Sequence, residues 1–247
     1  MTQARIALVT GGLGGLGTAI CRALAEAGRK VVAVDVAAPE ERVAGFRTAL
    51  NGFEAHIETA DVADFDACAA LVRKVEDEHG ALDILVNNAG ITRDSTLRKM
   101  EPAQWQAVID VNLSSAFNLC RHALDGMQAR GFGRIVNISS VSGQTGNFGQ
   151  TNYAAAKAGL HGFSMSLARE TATKGVTVNS ISPGYIETPM TLAMPEAVRE
   201  KTRASIPVGR LGQPRDIARA VAFLTADDAG YITGANIPVN GGLYMAY

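Results

Sequence analysis

Short apolar runs rich in β-branched residues alternate with longer segments of helical period, and this alternation constrains the fold more than any other feature of the chain. Most of the runs are continuously apolar, as expected for strands that are covered on both faces. The pattern predicts an α/β fold, a doubly wound parallel sheet of about seven strands with helices on both faces. The strand candidates are Ile6–Thr10, Lys30–Asp35, Ala55–Ala60, Ile84–Asn87, Arg134–Ser139, Thr177–Ser182 and Asn236–Val239.

Helical periodicity fills the stretches between the strand candidates. A length of 247 residues suits one domain over 1–247. The rhythm breaks in a proline-punctuated segment at about 184–207, which predicts a functional lid over a substrate. The predicted helices are Gly15–Gly28, Glu40–Asn51, Asp66–Glu78, Pro102–Arg130, Asn152–Lys174 and Pro214–Thr225.

The charge and the apolar segments exclude several classes of function. A formal net charge of -1 argues against nucleic acid or an anionic membrane as the main partner. No apolar run approaches the roughly 20 residues that span a membrane. The start Met1–Arg5 runs directly into a strand candidate and leaves no room for a signal peptide. We therefore expect a soluble cytoplasmic protein.

The cysteines and histidines do not show the spacing of a metal site. The three cysteines are odd in number and widely separated, which predicts reduced thiols and not a disulfide framework. The four histidines are interpreted as surface or core residues, so the sequence predicts no metal. These residues are Cys21, Cys68 and Cys120, with His56, His79, His122 and His161.

Glycines crowd the turn that follows the first strand candidate. Gly11, Gly15 and Gly17 give the spacing Gly-x-x-x-Gly-x-Gly, which differs from the Gly-x-Gly-x-x-Gly of the standard dinucleotide fingerprint. Glycines at a strand–turn–helix junction let backbone N–H groups approach a pyrophosphate, and the helix N-terminus adds partial positive charge. The turn predicts a Rossmann-like dinucleotide site.

The second strand candidate ends in Asp35, eighteen residues after Gly17. A carboxylate there accepts hydrogen bonds from both ribose hydroxyls of NAD and repels a 2′-phosphate. Arg29, Lys30 and Arg42 are near in sequence, but none directly follows Asp35. We therefore favour NAD(H) as the cofactor, with NADP(H) as the alternative.

Tyr153 and Lys157 are four residues apart within a predicted helix, and Ser140 precedes them by thirteen residues or more. Residues four apart lie on the same helix face, so the phenol and the ammonium can point into one pocket. The lysine is expected to lower the pKa of Tyr153 and make the phenol a usable proton donor. Alone, Tyr-x-x-x-Lys is a common pattern.

Taken together and in order, these motifs resemble the short-chain dehydrogenase/reductase family over essentially the whole chain. The matches run from the glycine turn through Asn87-Asn88-Ala89-Gly90 to the Pro183-Gly184 loop. The resemblance implies a catalytic group of Asn112, Ser140, Tyr153 and Lys157, with Asn112 holding a water beside Lys157. It also implies cofactor contacts from Gly11, Leu13, Gly15, Leu16, Gly17, Asp35, Asp61, Val62, Asn88, Gly90, Tyr153, Lys157, Pro183, Gly184, Ile186 and Thr188.

The sequence resembles two branches of that family, which act on different substrates. Gly90–Asp94 and the ending Val239–Met245 resemble both 3-oxoacyl-[acyl-carrier-protein] reductases and acetoacetyl-CoA reductases. The start Met1–Gln3 running into Gly17–Cys21 is closer to the second branch, as are Gly131–Ser140, Phe148–Tyr153 and Ala158–Phe163. This implies reduction of acetoacetyl-CoA to (3R)-3-hydroxybutanoyl-CoA for polyhydroxybutyrate synthesis. Reduction of a carrier-protein thioester and a catalytically silent dinucleotide sensor are the two alternatives.

Three features depart from the acetoacetyl-CoA branch. Those enzymes mostly use NADPH and lack an acid at the position of Asp35, and Asn147 stands where glutamine is frequent. The stretch Glu187-Thr188-Pro189-Met190 is closer to the carrier-protein enzymes. These departures leave the cofactor and the acyl carrier open.

The resemblance also implies the substrate contacts and the assembly. Phe148 is expected to shorten the acyl pocket, and Lys99 with Arg98 to meet CoA phosphates. A homotetramer is implied, and the apolar ending Gly241–Tyr247 suits burial at a subunit contact. The implied substrate residues are Asp94, Lys99, Ser140, Asn147, Phe148, Gln150 and Tyr185.

Overall fold

Seven parallel strands form one sheet in the computed structural model, which describes residues 4–188, 191 and 195–245. Their order across the sheet is β3-β2-β1-β4-β5-β6-β7, and every neighbouring pair is parallel. The predicted doubly wound sheet is confirmed. The strands are β1 (Ile6–Thr10), β2 (Lys30–Asp35), β3 (Ala55–Thr59), β4 (Leu82–Asn87), β5 (Gly133–Ile138), β6 (Val176–Pro183) and β7 (Asn236–Val239).

Helices connect the strands and cover both faces of the sheet. A π turn over Asp110–Ser114 joins α4 to α5, and short 3-10 turns occur at Leu97–Lys99, Ala172–Lys174 and Ala229–Tyr231. The α-helices of the described residues are α1 (Gly15–Glu26), α2 (Glu40–Ala49), α3 (Phe65–His79), α4 (Pro102–Ile109), α5 (Ser115–Arg130), α6 (Ser142–Thr145), α7 (Thr151–Thr171), α8 (Glu196–Ser205) and α9 (Pro214–Leu224).

Two apolar layers, one on each face of the sheet, explain why the strands read as continuous apolar runs. Successive strand side chains point to opposite faces, so a strand buried on both faces needs apolar residues throughout. In β1, Ala7 and Val9 join one layer, whereas Ile6 and Leu8 join the other. The first layer packs against α1, α2 and α9, and the second against α3, α5 and α7.

The chain reverses its direction across the sheet at β1, and this reversal positions the candidate site. From β1 the chain proceeds outward through β2 and β3, then returns to pair β4 on the other side of β1. In such sheets a crevice opens at the carboxyl ends of the strands where the order reverses. Thr10, Asn87, Ile138 and Pro183 end β1, β4, β5 and β6 on that edge.

The structure differs from the predicted helices in two places. The predicted single helix Pro102–Arg130 contains a π turn over Asp110–Ser114, which periodicity cannot detect because the turn adds a single residue to a helix that otherwise continues. Helices α6 and α8 were not predicted. Helix α8 contains no buried residue, so it carries no apolar stripe that a sequence could show.

Part of the predicted lid at 184–207 consists of α8 and of a strand-like bridge between Ile186 and Gly212. Positions 189–190 and 192–194 of that segment lie outside the described residues, as do positions 246–247 of the C-terminal ending. Cys21, Cys68 and Cys120 are all buried and free, in agreement with the predicted reduced thiols. Within the described ranges, no helix is both long enough and apolar enough to cross a membrane.

Candidate active site

A reciprocal set of hydrogen bonds between Thr10 and Asn88 closes the base of the crevice between β1 and β4. The Thr10 hydroxyl accepts from the backbone N–H groups of Asn88 and Ala89, both at 2.9 Å. The Asn88 side-chain amide donates to the carbonyls of Thr10 at 2.8 Å and Gly11 at 3.2 Å. These bonds fix the glycine turn against the end of β4.

The glycine turn is too tight for any side chain at two of its positions. Gly11 has a positive φ of 60°, and a Cβ on Gly17 would lie 2.1 Å from the Gly11 carbonyl oxygen. Helix α1 begins at Gly15, and its N-cap Gly14 has no side chain to satisfy the first N–H groups of the helix. The side chains of Leu13 and Leu16 belong to the core, so these residues can meet a ligand only through their backbone.

Asp35 and the Asp61-Val62 pair lie beyond this turn, at the carboxyl ends of β2 and β3. The Gly12 N–H donates to the Val34 carbonyl at 3.1 Å, which holds the turn beside Asp35. The Asp35 carboxylate accepts from the Val36 N–H at 3.0 Å. Asp61 is exposed, whereas Val62 is buried. The predicted cofactor residues of the first half of the chain therefore share one edge of the sheet.

Asn112 lies in the π turn and is almost completely buried. Its side-chain oxygen accepts from the Ile91 N–H at 2.7 Å, and its side-chain nitrogen donates to the Ile91 carbonyl at 2.9 Å. The amide thus ties the segment after β4 to the helix, and one N–H and one lone pair of the amide take no part in these two bonds.

Gly90 lies directly against the side chains of Asn112 and Lys157. A Cβ at this position would lie 3.3 Å from the Asn112 side-chain oxygen and 3.5 Å from Lys157 Nζ. The Lys157 side chain is 3% exposed, and its ammonium donates to the Ile138 carbonyl at 2.7 Å. Burial lowers the pKa of Lys157 to about 8.

Tyr153 differs from the prediction in the direction of its pKa shift. Its pKa is raised, because burial disfavours the phenolate, although a hydrogen bond with Ser140 acts in the opposite direction. Lys157 Nζ lies 5.7 Å from the centroid of the Tyr153 ring and is bonded to Ile138 instead. The expected lowering by Lys157 is therefore wrong, since desolvation has the largest effect on the pKa of Tyr153 and Lys157 is not among the groups that shift it.

Ser140, Tyr153 and Lys157 are nevertheless grouped at the carboxyl end of β5. Ser140 lies two residues after β5 and accepts a hydrogen bond from the Ser142 N–H at 3.1 Å, while Tyr153 and Lys157 lie on α7. The side-chain hydrogen bond between Ser140 and Tyr153 joins two hydroxyls that can both point to one oxygen of a ligand. The arrangement can donate a proton and stabilise a developing oxyanion.

Comparisons with known proteins agree with this geometry. A family model described as enoyl-(acyl carrier protein) reductase matches residues 11–244. An acetoacetyl-CoA reductase of Allochromatium vinosum is 59% identical over 247 residues, covering 98% of this chain and 100% of the relative. The chain belongs to the short-chain dehydrogenase/reductase family.

Two further relatives extend the comparison to both branches of this family. An acetoacetyl-CoA reductase of Cupriavidus necator is 54% identical over 246 residues, covering 99% of this chain and 100% of the relative. A 3-oxoacyl-[acyl-carrier-protein] reductase of Vibrio cholerae is 47% identical over 243 residues, covering 98% of each chain. The short-chain dehydrogenase/reductase resemblance stated from the motifs is confirmed.

The predicted substrate residues of this family member form a polar network at one side of Tyr153. The Gln150 amide donates to the Asp94 carboxylate at 2.9 Å and accepts from Asn147 at 3.0 Å and from Ser142 at 3.3 Å. Asp94 lies close enough to Tyr153 to contribute to its raised pKa. Three of the predicted substrate residues are thus brought together beside Tyr153.

Phe148 and Lys99 lie on the surface of this reductase. The Phe148 side chain is 90% exposed, so in the ligand-free chain it does not shorten a pocket as expected. Gly146 and Gly149 on either side of it have positive φ values, and this turn directs the ring outward. Arg98 and Lys99 are exposed and form no ion pair with any residue in the described part of the chain.

The Pro183–Thr188 segment continues β6 at the edge of the crevice. The Pro183 carbonyl accepts from the Val141 N–H at 2.8 Å, and the Gly184 N–H donates to Val239 at 3.0 Å. Tyr185 and Ile186 line a cavity of about 280 Å³ whose lining does not include Ser140, Tyr153 or Lys157. The Thr188 and Thr191 hydroxyls lie 3.4 Å apart.

Buried polar residues that the motifs did not indicate position the predicted site residues. Asn152, with no exposed surface, donates from its amide to the carbonyls of Arg93 and Gln104 and accepts from the Tyr153 N–H. Asn118 donates to the Val62 and Ala63 carbonyls. Two buried asparagines in predicted helices are poor helix formers, and this is the only signal the sequence gives for them.

His161 contacts two serine hydroxyls next to the predicted catalytic residues. Its Nε2 lies 2.8 Å from the Ser139 hydroxyl and 3.1 Å from the Ser182 hydroxyl, and Ser139 also donates to the Lys157 carbonyl at 2.7 Å. Burial lowers the pKa of His161, so the neutral imidazole is favoured. The residue interpreted from sequence as a surface or core histidine links β5, β6 and α7.

Proposed function

We propose that this protein transfers hydride from NADH to the 3-oxo group of acetoacetyl-CoA and yields (3R)-3-hydroxybutanoyl-CoA for polyhydroxybutyrate synthesis. The protein is an NAD(P)H-dependent reductase of 3-oxoacyl thioesters, the activity common to the relatives of both branches. The choice of carrier and of dinucleotide belongs to the proposal. The observation that carries it is the group of Ser140, Tyr153 and Lys157 at the mouth of a glycine-lined crevice.

The residues of the crevice fit a nicotinamide dinucleotide. The glycine turn leaves the N-terminus of α1 open to a pyrophosphate, and the absence of a side chain at Gly90, beside Lys157, would let a ribose approach the backbone there. Asp35 would hold the adenine-side ribose, and Pro183 to Thr188 would flank the nicotinamide. When bound, the dinucleotide supplies the hydride.

The chain's own residues manage the proton and the charge. Tyr153, kept neutral by its raised pKa, donates its proton to the substrate oxygen, and Ser140 hydrogen-bonds the same oxygen as negative charge develops there. Lys157, with its pKa lowered to about 8, can give up and regain a proton near neutral pH. The π turn around Asn112 would hold a water through which Lys157 exchanges a proton with solvent.

Replacing Tyr153 by Phe removes only the proton-carrying hydroxyl. We expect kcat/KM with a 3-oxoacyl thioester to fall by about 10²- to 10⁴-fold, the usual contribution of a positioned general acid. Binding of the dinucleotide, measured by fluorescence, should change little. Near-full activity of Tyr153→Phe would remove Tyr153 from the proposed role, and turnover by the wild-type protein on any 3-oxoacyl thioester would eliminate the silent sensor.

The positions of the basic residues near β2 support NADH. Arg29 and Lys30 precede or begin β2, at the opposite end from Asp35, and they pair with Asp227 at 2.9 Å and with Glu54 at 2.6 Å. After Asp35 the chain continues with Val36-Ala37-Ala38, which offers no cation for a 2′-phosphate. The carboxylate therefore faces the ribose site without a basic neighbour in sequence.

The cofactor proposal is tested by comparing kcat/KM for NADH and NADPH. We expect NADH to be preferred, and Asp35→Ser to reduce that preference by about tenfold or more, because the substitution removes the repulsion of the 2′-phosphate. Asp77→Ser, on the exposed surface of α3, is the matched control. A higher kcat/KM with NADPH in the wild-type protein would refute the interpretation of Asp35.

Two observations support a CoA thioester. The relatives at 54–59% identity are acetoacetyl-CoA reductases. The unpaired cations Arg98 and Lys99 stand near the segment that carries Asp94, where they can meet the phosphates of CoA. The alternative is a carrier-protein thioester, favoured by the Vibrio cholerae relative at 47% identity and by the stretch Glu187-Thr188.

One comparison tests which acyl carrier the enzyme prefers, because the same acyl group is presented on both carriers. Acetoacetyl-CoA and acetoacetyl-[acyl-carrier-protein] are compared as substrates at equal concentration. We expect the higher kcat/KM with CoA, and a rise in KM for the CoA thioester when Arg98 and Lys99 are both replaced by Gln. Preference for the carrier-protein thioester would favour fatty-acid synthesis.

Exposed apolar side chains on α5 and α7 support the proposed homotetramer. Phe117 is 51% exposed and Met165 is 52% exposed, and a monomer gains nothing from presenting them to water. Met245, in the ending expected at a subunit contact, is 71% exposed in the single chain. Light scattering on the purified protein tests this, and a monomer would contradict it. The three free thiols are in keeping with the proposed cytoplasmic location.

A further inference from the structure

Two histidines and two glutamates meet at the edge of the sheet, far along the chain from the catalytic group. His56 and Glu58 are two residues apart on edge strand β3, so they lie on the same face of the strand. Glu78 and His79 are at the end of α3, which packs on that face. Their spacing in sequence resembles no metal motif, and only the pairing of α3 with β3 brings them together.

The ligand atoms in this cluster are farther apart than in a metal-bound site but close enough to converge on one ion. The ligand atoms of Glu58, Glu78 and His79 all lie within 4.8 Å of one another, the one such group among the described residues. The rings of His56 and His79 have centroids 4.3 Å apart. Zinc bonds of about 2.0–2.2 Å require ligand atoms roughly 3.4 Å apart, so the side chains of Glu58, Glu78 and His79 would rotate toward one another to close the set.

A buried nitrogen without a partner points into the cluster. The side chain of His79 is only 9% exposed, and its Nε2 has no hydrogen-bond partner; the closest carboxylate oxygen, Oε1 of Glu58, is 4.0 Å away. The Nε2 of His56 is also buried and without a hydrogen bond. Buried polar groups without partners are rare in native proteins and call for an explanation. A metal ion would satisfy both nitrogens.

The charges around the cluster are compatible with a cation. Oε2 of Glu58 is occupied by the Lys74 ammonium at 2.7 Å, which leaves Oε1 directed to His79. Glu54, which pairs with Lys30, lies 3.6 Å from the Nε2 of His56.

We propose that Glu58, Glu78 and His79 bind a divalent transition-metal ion such as Zn²⁺, with His56, which lies outside their 4.8 Å group, turning toward them as the fourth ligand. Imidazole nitrogens and carboxylate oxygens in a four-coordinate set are the ligands that this ion takes. The ion ties the end of α3 to the edge strand. The ion takes no part in the proposed reduction, whose carbonyl oxygen would lie beside Ser140 and Tyr153, far from this cluster along the chain.

Metal titration of the full-length, chelator-treated protein tests the site. We expect one equivalent of Co²⁺ to bind and give the visible absorption of a tetrahedral complex, and Zn²⁺ to displace it in calorimetry. At about a hundred-fold excess over Kd, Zn²⁺ should raise the Tm by about 5–10 °C. Reductase activity should be unchanged by the metal.

Single variants decide whether these four side chains are the ligands. We expect His79→Gln and Glu78→Gln to weaken Co²⁺ binding by about tenfold or more, as loss of one ligand does. His56→Gln should weaken binding and change the absorption spectrum. Lys74→Met should tighten binding, because it frees Glu58. His122→Gln is the control, since His122 also has a buried unpartnered Nε2 but belongs to no such cluster among the described residues.

Glu78 is exposed at a helix end, so Glu78→Gln keeps the test decisive if His79→Gln unfolds. Absence of any Co²⁺ spectrum and any Tm shift in the wild-type protein would overturn the proposal. Binding by Glu78→Gln and His79→Gln equal to that of the wild-type protein would overturn it equally, because the ion would then be held elsewhere.

Discussion

The Thr10 hydroxyl and the Asn88 backbone N–H are joined by a 2.9 Å hydrogen bond across the point where the sheet reverses its strand order. The Asn88 side-chain amide returns a bond of 2.8 Å to the Thr10 carbonyl. This pair links the turn proposed to hold the pyrophosphate to the segment that leads to Gly90, in front of Lys157. The two halves of the candidate site are therefore held in register by two residues.

Replacing Thr10 by Val should destabilise both the glycine turn and the segment after β4. The substitution keeps the shape but leaves the N–H groups of Asn88 and Ala89 without an acceptor, which costs about 1–3 kcal/mol for each group left buried. We expect a lower free energy of unfolding in urea and a higher Kd for the dinucleotide. Thr10→Ser, which keeps the hydroxyl, is the control. Equal stability of Thr10→Val and Thr10→Ser would show that the hydroxyl does not hold this junction.

Replacing Asn112 by Ala should separate the π turn from the segment after β4. Both the N–H and the carbonyl of Ile91 lose their partner, at a cost of about 1–3 kcal/mol for each unsatisfied group. We expect kcat with a 3-oxoacyl thioester to fall, because Lys157 and Gly90 lie against this amide. Asn51→Ala, at an exposed asparagine, should leave both quantities unchanged. Wild-type kcat in Asn112→Ala would contradict the positioning role.

The lowered pKa of Lys157 makes the stability of the ligand-free protein depend on pH. The folded state loses the proton near pH 8, whereas an unfolded lysine keeps it up to about 10.5. Folding therefore releases a proton between these values, and stability should rise with pH across that window, by at most about 1.4 kcal/mol per pH unit. Below about pH 8 the cost of burying the ammonium is fully present.

Lys157→Met removes this titrating group and is the comparison for that prediction. We expect the difference in unfolding free energy between the wild-type protein and Lys157→Met to shift in favour of the wild-type protein from about pH 8 to about pH 10. Urea unfolding across this range measures it. A difference that stays constant with pH would mean that Lys157 titrates normally in the folded chain.

Phe148 offers a test of the expected pocket. Because the ring is 90% exposed, Phe148→Ala should change the free energy of unfolding by no more than about 0.5 kcal/mol. If the ring closes on bound substrate, KM for acetoacetyl-CoA should rise several-fold and longer 3-oxoacyl thioesters should become better substrates. Tyr231→Ala, at a fully exposed aromatic ring, is the control. Unchanged chain-length selectivity would exclude Phe148 from the pocket.

Local sequence patterns predicted most of the strands and helices. The seven strands were predicted within two residues at each end, because short apolar runs alternate with helical periods and the central strands are buried on both faces. Helix α8 was not predicted, because a helix without buried residues has no apolar stripe. The π turn at Asp110–Ser114 was also missed, since a single extra residue does not interrupt the helical pattern.

The sequence by itself determined the parallel sheet, the glycine turn and the order of Asn112, Ser140, Tyr153 and Lys157, because periodicity and spacing are local properties of the chain. The tertiary structure determined the burial, the pKa and the contacts of each side chain. Burial raises the pKa of Tyr153 where a neighbouring lysine was expected to lower it, and two glycines turn Phe148 into solvent. It also placed His79 beside Glu58, because desolvation and long-range contacts depend on which elements pack together.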